Sequence, residues 1–349
     1  MRTLKNIPEP RFIKNILLSN IKRLSKPYKL TLAVTYKCNS RCKTCNIWRK
    51  EPGDELDAGE IKNIFSHARP SWINITGGEP FLRDDLYRIF KAAKEASDPY
   101  ILNITTNGML KDKVAEELEK ASCMGLKNLI SVVSIDGPRK TNDMIRGRGA
   151  WKRAVKTYNV LRSMQDEGKL KAYIGYTISS LNPGAFPLLY EELKKHVPDI
   201  RIDDFHFNVF HNSSHYYGNM GIMCKDVNSM MNDISTIRSM RNGPLSPVKL
   251  LGDTYLKKMK DYMLRAVTMK CAALSSSCFI NPLGDVYPCI HHDVRLGNLR
   301  DHGYDIKSIW EAQVTKDERE RIKRRECPGC WTPCEAYQTI LANLLMSAF

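Results

Sequence analysis

The sequence predicts an α/β protein: a parallel sheet built from six β/α repeats, with a small cysteine-rich module at its C-terminal end. Three observations carry this expectation. Short β-branched runs alternate with longer helix-like stretches through the first 210 residues, an order that calls for parallel strands joined by crossover helices. The strand-like runs end in polar, turn-forming residues, and in parallel barrels function gathers at the carboxyl ends of the strands. The cysteines fall into two short groups, one near the start of the chain and one in its last quarter.

In chain order, the strand-like runs are 30–35 (LTLAVT), 72–76 (WINIT), 100–106, 129–135, 171–179 and 202–210. Helix-like stretches occupy 60–68, 86–96, 114–122, 151–165 and 186–195, and no internal sequence repeat accompanies the alternation. Before the first strand, residues 11–24 place Ile13, Ile16, Leu17, Leu18, Ile21 and Leu24 at helical spacing with Lys14, Lys22 and Arg23 on the remaining face. This basic amphipathic helix either packs on the barrel or lies on an anionic membrane surface. The apolar stretch 336–349 poses the same choice.

The chain has 349 residues, longer than one typical domain, so one barrel plus a smaller appended module is the expected organisation. No run approaches the roughly 20 apolar residues of a membrane span, and no signal peptide is visible, so the expected location is cytoplasmic. A net charge of +16 raises the question of an anionic partner. The charge is dispersed, and runs such as 316–325 (KDERERIKRR) mix signs and read as a solvated helix face, so nucleic acid is not an expected partner. Eleven cysteines in a reducing compartment stay thiols, and their clustering reads as metal ligation rather than as a disulfide scaffold.

Cys38, Cys42 and Cys45, in CNSRCKTC, stand at a spacing that lets one loop fold three thiolates around a single iron-sulfur cluster. A four-iron cluster usually takes four cysteines, so three ligands leave one iron open. Gly77-Gly78-Glu79-Pro80 follows the second strand, as the cysteine loop follows the first. In this order the chain resembles a radical S-adenosylmethionine (radical SAM) enzyme. The resemblance implies a partial (β/α)6 TIM-like barrel, a 4Fe-4S cluster on the three cysteines, and SAM chelated through its amino and carboxylate groups at the open iron. Reductive cleavage of SAM would then give a 5'-deoxyadenosyl radical that abstracts hydrogen. Gly77 and Gly78 let backbone polar groups approach the SAM ammonium, and Glu79 supplies an acceptor of opposite charge. One departure is Thr44, at a position often aromatic in the family, which weakens adenine stacking there.

By the same resemblance, Asn107 at the end of the third strand, and Ser134 and Asp136 at the end of the fourth, join the expected cofactor contacts. The loop 143–149 (DMIRGRG) offers Arg146 to the cofactor carboxylate. Asn-Gly and Asp-Gly pairs are also ordinary turn formers, which is the bland reading of 107–108 and 136–137. The sixth strand delivers His206, Asn208, His211, His215, Tyr216 and Tyr217 toward the open mouth, with no catalytic role assigned to any one of them.

In the last quarter, Cys271, Cys278 and Cys289 surround a hairpin-like stretch (CFINPLGDVYPC), and Cys327, Cys330 and Cys334 follow as CPGCWTPC. This resembles the SPASM or twitch auxiliary-cluster extension of radical SAM enzymes, with a shorter cysteine series than the full pattern. The implied ligands of one auxiliary 4Fe-4S cluster are Cys271, Cys289, Cys327 and Cys330, with Cys278 and Cys334 as alternatives and two clusters as a variant. A structural zinc site is the competing reading of such knuckles. Cys123 and Cys224 stand alone and read as buried apolar thiols.

The expected organisation is an N-terminal helix over 1–28, the barrel over 29–210, a bridging helical segment over 211–270, the auxiliary module over 271–334 and an apolar C-terminal helix over 335–349. The expected function is hydrogen abstraction from an unactivated C–H of a peptide, lipid or sugar, with a flavodoxin- or ferredoxin-type electron donor and peripheral membrane contact through the terminal helices. Two alternatives remain open: an RNA-modifying radical SAM enzyme and a non-catalytic iron-sulfur or zinc protein.

Overall fold

The computed structural model describes residues 9–223, 226–243, 246–264 and 269–344. Helix α1 (Pro10–Ile21) precedes the first strand β1 (Lys29–Ala33). The β/α repeats then run α2 (Ala58–Ala68), β2 (Trp72–Thr76), α3 (Leu86–Ala96), β3 (Ile101–Thr106), α4 (Lys111–Ser122), β4 (Leu129–Ser134), α5 (Arg139–Arg146), α6 (Ala150–Asp166), β5 (Lys171–Ile178), α7 (Ala185–Lys194) and β6 (Phe205–Val209). Two bridging helices follow, α8 (Val227–Met240) and α9 (Pro247–Met263). The C-terminal module holds β7 (Ser277–Ile280), β8 (Asp285–Tyr287), β9 (Gly297–Asn298), α10 (Ile306–Glu311), α11 (Gln313–Lys323) and α12 (Pro333–Leu341).

All six expected strands are present. Each adds to the same side of its predecessor, in the order β6-β5-β4-β3-β2-β1, every pair parallel. The sheet is an open, partial barrel. Its apolar core lies between the strands and the surrounding helices, with Leu30, Leu32, Ile73, Ile75, Leu102 and Ile104 directed at it from alternate positions. α3 answers with Leu86, Ile89, Phe90 and Ala93, a stripe at helical spacing.

The module is not a separate body in the sheet. β7 pairs in parallel with β1, and β8 and β9 continue antiparallel, so one nine-stranded sheet runs from β6 to β9. The expected hairpin is β7 and β8 around Gly284, whose φ of +87° suits glycine at the turn.

Several local expectations change. Residues 143–146, read as part of a loop, form the last turn of α5. The 316–325 run is helical through Lys323 but not a wholly solvated face: Glu318 and Arg319 are buried, and Arg319 donates to the carbonyls of Leu274 and Trp310. Cys123 is exposed at the end of α4 rather than a buried thiol, and Cys224 lies outside the described residues. Of the expected terminal helices, residues 1–8 and 345–349 also lie outside them. α1 does pack on the barrel, through Phe12 against Tyr28, Trp72 and Tyr100, while Ile13, Leu17 and Ile21 stay exposed. Among the described residues no helix is long and apolar enough to cross a membrane.

Glu60 clasps module to barrel. It closes the capping box of α2 with Asp57, and its carboxylate accepts from Arg300 Nε at 2.6 Å and Tyr304 Oη at 2.8 Å. The bonds from Arg300 hold its carboxyl down at about 2. A depressed carboxylate contributes stability above its unfolded value and loses it as pH falls toward the folded one. Glu60→Gln keeps the capping box but loses the ion pair, so it is expected to cost about 0.5–1 kcal/mol at neutral pH for this partly solvated pair. The deficit should shrink as pH falls from about 4.5 toward 2. Equal denaturation midpoints for both proteins at pH 7 would show that the clasp contributes nothing.

Candidate active site and auxiliary thiol site

The chain leaves β1 and runs alongside the loop after β2, joined by Gly78 N–H to the Thr35 carbonyl at 2.7 Å and Glu79 N–H to the Lys37 carbonyl at 2.8 Å. A Cβ on Gly77 would lie 2.5 Å from the Thr35 oxygen, and one on Gly78 would overlap the Lys37 oxygen. The paired glycines are therefore required first for the two loops to abut.

Cys38, Cys42 and Cys45 line one cavity of about 330 Å³ inside the barrel mouth. The Ser40 N–H donates to Cys38 Sγ at 3.4 Å, the Ile47 N–H to Cys45 Sγ at 3.5 Å, and Ser40 Oγ lies 3.2 Å from Cys42 Sγ. Burial pushes the Cys38 thiol up to about 11 and the Cys45 thiol up to about 12. Such groups become thiolates only against a strong Lewis acid, while the inward N–H groups are set to stabilise the sulfur charge once it forms.

Of the expected cofactor contacts, Gly77, Gly78, Asn107, Ser134 and Arg146 line the cavity. Glu79, Pro80 and Asp136 stand behind it, fully buried or nearly so. The Glu79 carboxylate accepts from Asn107 N–H at 2.7 Å, Thr106 Oγ1 at 2.8 Å and Phe81 N–H at 3.3 Å. It thus ties the loops after β2 and β3 together. Burial raises its carboxyl to about 7 against the pull of those donors. Asp136 accepts from Arg146 Nε at 2.7 Å and Thr177 N–H at 2.9 Å, which aims the Arg146 guanidinium along the cavity wall, 3.9 Å from Cys42 Sγ.

β6 contributes His206 and Asn208 to the cavity wall, and the segment after it contributes His211, Tyr216 and Tyr217. His211 donates from Nδ1 to the Val209 carbonyl at 2.6 Å and accepts the Trp331 N–H at Nε2. His215 lies behind the wall, stacked on Tyr287 with Nε2 3.0 Å from the Cys289 carbonyl. Burial holds His206 and His215 down to about 4 and His211 to about 3, so all three are neutral at pH 7. His211 and His215 fasten the barrel to the module, while His206 stacks on Tyr173 within the barrel. Tyr216 Oη meets Thr76 Oγ1 at 2.7 Å and Gly77 N at 3.2 Å, bracing the glycine loop.

Cys271, Cys289, Cys327 and Cys330 line a second cavity, of about 830 Å³. Cys330 interacts directly with Cys289, and Cys271 lies within electrostatic reach of both Cys289 and Cys327. Backbone N–H groups of Ala273 and His292 donate to Cys271 and Cys289 at 3.4 and 3.3 Å. The two alternatives are not brought here. Cys278 shares a face of β7 with Ile280 and sits in the apolar core, and Cys334 faces the first cavity. Among the described residues no three His, Cys, Asp or Glu side chains converge on a single-ion point. The two donor sets, thiols with inward N–H groups, fit iron-sulfur clusters, which are held by cysteine sulfurs and tuned by hydrogen bonds to them.

The fold and the donor sets define a barrel enzyme with a thiol-lined chamber at its mouth and a separate thiol site in an appended module. The chain belongs to the radical SAM superfamily, whose family model matches residues 32–211, and an iron-sulfur cluster-binding domain, SPASM, matches residues 271–334. It is similar to the mycofactocin maturase MftC of Mycobacterium ulcerans (strain Agy99), 25% identical over 321 residues, covering 88% of this chain and 81% of that one. It is also similar to the AdoMet-dependent heme synthase of Methanosarcina barkeri (strain Fusaro / DSM 804), 27% identical over 336 residues, covering 87% and 91%. Among solved structures, Streptococcus suis SuiB bound to S-adenosylmethionine shares the fold at a TM-score of 0.60 with 18% identity, over 88% of this chain and 71% of that one. Membership brings a 4Fe-4S cluster, SAM and auxiliary iron-sulfur ligation.

Lys29, Trp72, Asn74, Asn103, Gly175 and Tyr337 also line the cavity and escaped the sequence reading. The polar residues at alternate positions of otherwise apolar strands were the available signal. Reconstituted protein is expected to carry about eight irons per chain if each site holds one four-iron cluster. Replacing Cys38, Cys42 and Cys45 by Ala, or Cys271 with Cys330 by Ala, should each lower the count to about four. A count unchanged by either replacement would remove that site from the ligand set.

Proposed function

We propose that this protein is a radical SAM maturase that modifies one side chain of a peptide. The observation that carries the substrate class is the similarity to a mycofactocin maturase along most of both chains.

The reduced cluster with SAM supplies a 5'-deoxyadenosyl radical. The chain's residues do the rest. Cys38, Cys42 and Cys45 would hold the cluster, with one iron left for SAM. The backbone at Gly77 and Gly78 would receive the SAM amino group, and Arg146, aimed by Asp136, would meet its carboxylate. Asn107 and Ser134 would contact the nucleoside. Glu79 acts from behind, keeping Asn107 and the glycine loop in register, rather than as the exposed acceptor expected from the motif alone. Electrons would come from a donor of the flavodoxin or ferredoxin class, and the auxiliary cysteines would hold a cluster able to take up or relay an electron.

Anaerobic incubation with SAM and dithionite is expected to give 5'-deoxyadenosine from the wild type and at least tenfold less from Cys42→Ala. Short peptides encoded beside the gene should acquire a mass change that needs both SAM and reductant. Formation of 5'-deoxyadenosine with a changed tetrapyrrole or transfer RNA, and no changed peptide, would reassign the substrate. No 5'-deoxyadenosine under any condition would leave a non-catalytic metal protein.

Peripheral contact with an anionic membrane belongs to the same proposal, supported by exposed Ile13, Leu17 and Ile21 beside Lys14 and Lys22. Flotation with anionic liposomes should carry the wild type up and leave Leu17→Ser/Ile21→Ser behind. Equal partitioning of the two would count against it.

A further inference from the structure

The segment 330–339 is a partition between the two cavities. Cys330, Trp331, Glu335, Ala336 and Thr339 face the auxiliary cavity. Thr332, Pro333, Cys334 and Tyr337 face the radical chamber. The change of side follows from α12 starting at Pro333, after which residues three and four apart share a face. Cys330 precedes the helix, so helical spacing does not bring Cys334 back to its side, and Cys334 is turned away from the auxiliary thiols.

Its surroundings are those of a held thiol. Asn74 Nδ2 donates to Cys334 Sγ at 3.3 Å, and the buried Lys29 ammonium donates to the Cys334 carbonyl and, at 2.8 Å, to Gln338 Oε1. Cys38, Cys45, Tyr217 and Cys334 pack against one shared apolar cluster that includes Tyr36, Tyr216 and Phe279. Beside it, Thr332 is 1% exposed and lines the same chamber, and its buried Oγ1 has no hydrogen-bond partner among the described residues. A buried hydroxyl left unsatisfied at an N-cap position, where threonine ordinarily bonds the first turn, is a group waiting for a ligand.

We propose that Cys334 is a catalytic residue of the radical chamber, the thiol that gives a hydrogen atom to a carbon radical held there. This rests on the radical reading above and narrows it to a reaction in which the abstracted position regains hydrogen. The S–H bond breaks as a C–H bond forms, since an S–H bond is weaker than an aliphatic C–H bond. The thiyl radical left on sulfur is restored by one electron from a flavodoxin- or ferredoxin-class reductant and one proton from water. Burial keeps the thiol protonated, the form that can donate.

The test uses reconstituted full-length protein in D2O without added thiols, with SAM and dithionite as the only reactants and the isotope content of 5'-deoxyadenosine as the readout. A thiol exchanged with solvent puts one deuterium into that product. The monodeuterated fraction is expected to fall at least fivefold in Cys334→Ala and Cys334→Ser and to hold in Tyr217→Phe, which removes another exchangeable donor packed on the same cluster. Iron content should stay at the wild-type value in Cys334→Ala. Loss of about four irons in Cys334→Ala would make the residue a cluster ligand and overturn the inference. So would an undiminished deuterium fraction while 5'-deoxyadenosine still forms. Absence of 5'-deoxyadenosine from the wild type would instead remove the radical reading and this inference with it.

Discussion

The parallel pairing of β7 with β1, Lys29 opposite Ser277 through Leu32 opposite Ile280, is the contact on which the rest of the structure depends. β1 leads directly into the cysteine loop, and β7 opens the hairpin that ends at Cys289. Both strands are buried along their whole length, so their register is specified on two faces at once. A slip of one residue would turn Phe279 from the tyrosine cluster beside the cysteine loop into the helix-facing core. The module therefore extends the barrel sheet, and the relative placement of the two thiol sites is fixed by main-chain hydrogen bonds rather than by a linker.

A second constraint is the polar inner face of the strands. Burying Lys29, Asn74 and Asn103 is unfavourable unless each is hydrogen-bonded. The chain meets that cost locally: Lys29 bonds Gln338 and lies 4.4 Å from the Trp72 ring centroid, and the Asn103 amide donates to Asn74 while its carbonyl accepts from Trp72 Nε1. Stability comes from the opposite face, where the apolar residues of the same strands meet the helices. Gly175 keeps the chamber open, because a Cβ there would lie 3.0 Å from Val132 Cγ1. The division of each strand into a helix-facing apolar side and a chamber-facing polar side lets one sheet serve both stability and binding.

Much of this was legible in the sequence. The six strands show in β-branched runs bounded by turn residues, because that pattern is local. The three-cysteine loop and GGEP show because ligand spacing and glycine pairs are local too. Contacts made only by long-range packing did not show. The sequence does not reveal that β7 docks on β1, nor that Glu79 turns inward to Asn107 and Thr106, since both depend on strands far apart in the chain. Cys334 illustrates the limit: by spacing it belongs with Cys327 and Cys330, yet Cys330 precedes α12 while Cys334 lies in its first turn and faces the other cavity. The histidines after β6 read as candidate chemistry and are largely structural ties between barrel and module.

The central claim is that the front loop holds a cluster with one iron left for SAM. Pulsed electron-nuclear double resonance on the reduced protein, with SAM carrying nitrogen-15 in its amino group, tests that claim most directly. The expected result is a nitrogen-15 hyperfine coupling on the cluster signal, lost when Cys38, Cys42 and Cys45 are replaced. A reduced front cluster whose spectrum shows no coupling to SAM at saturation would contradict the account.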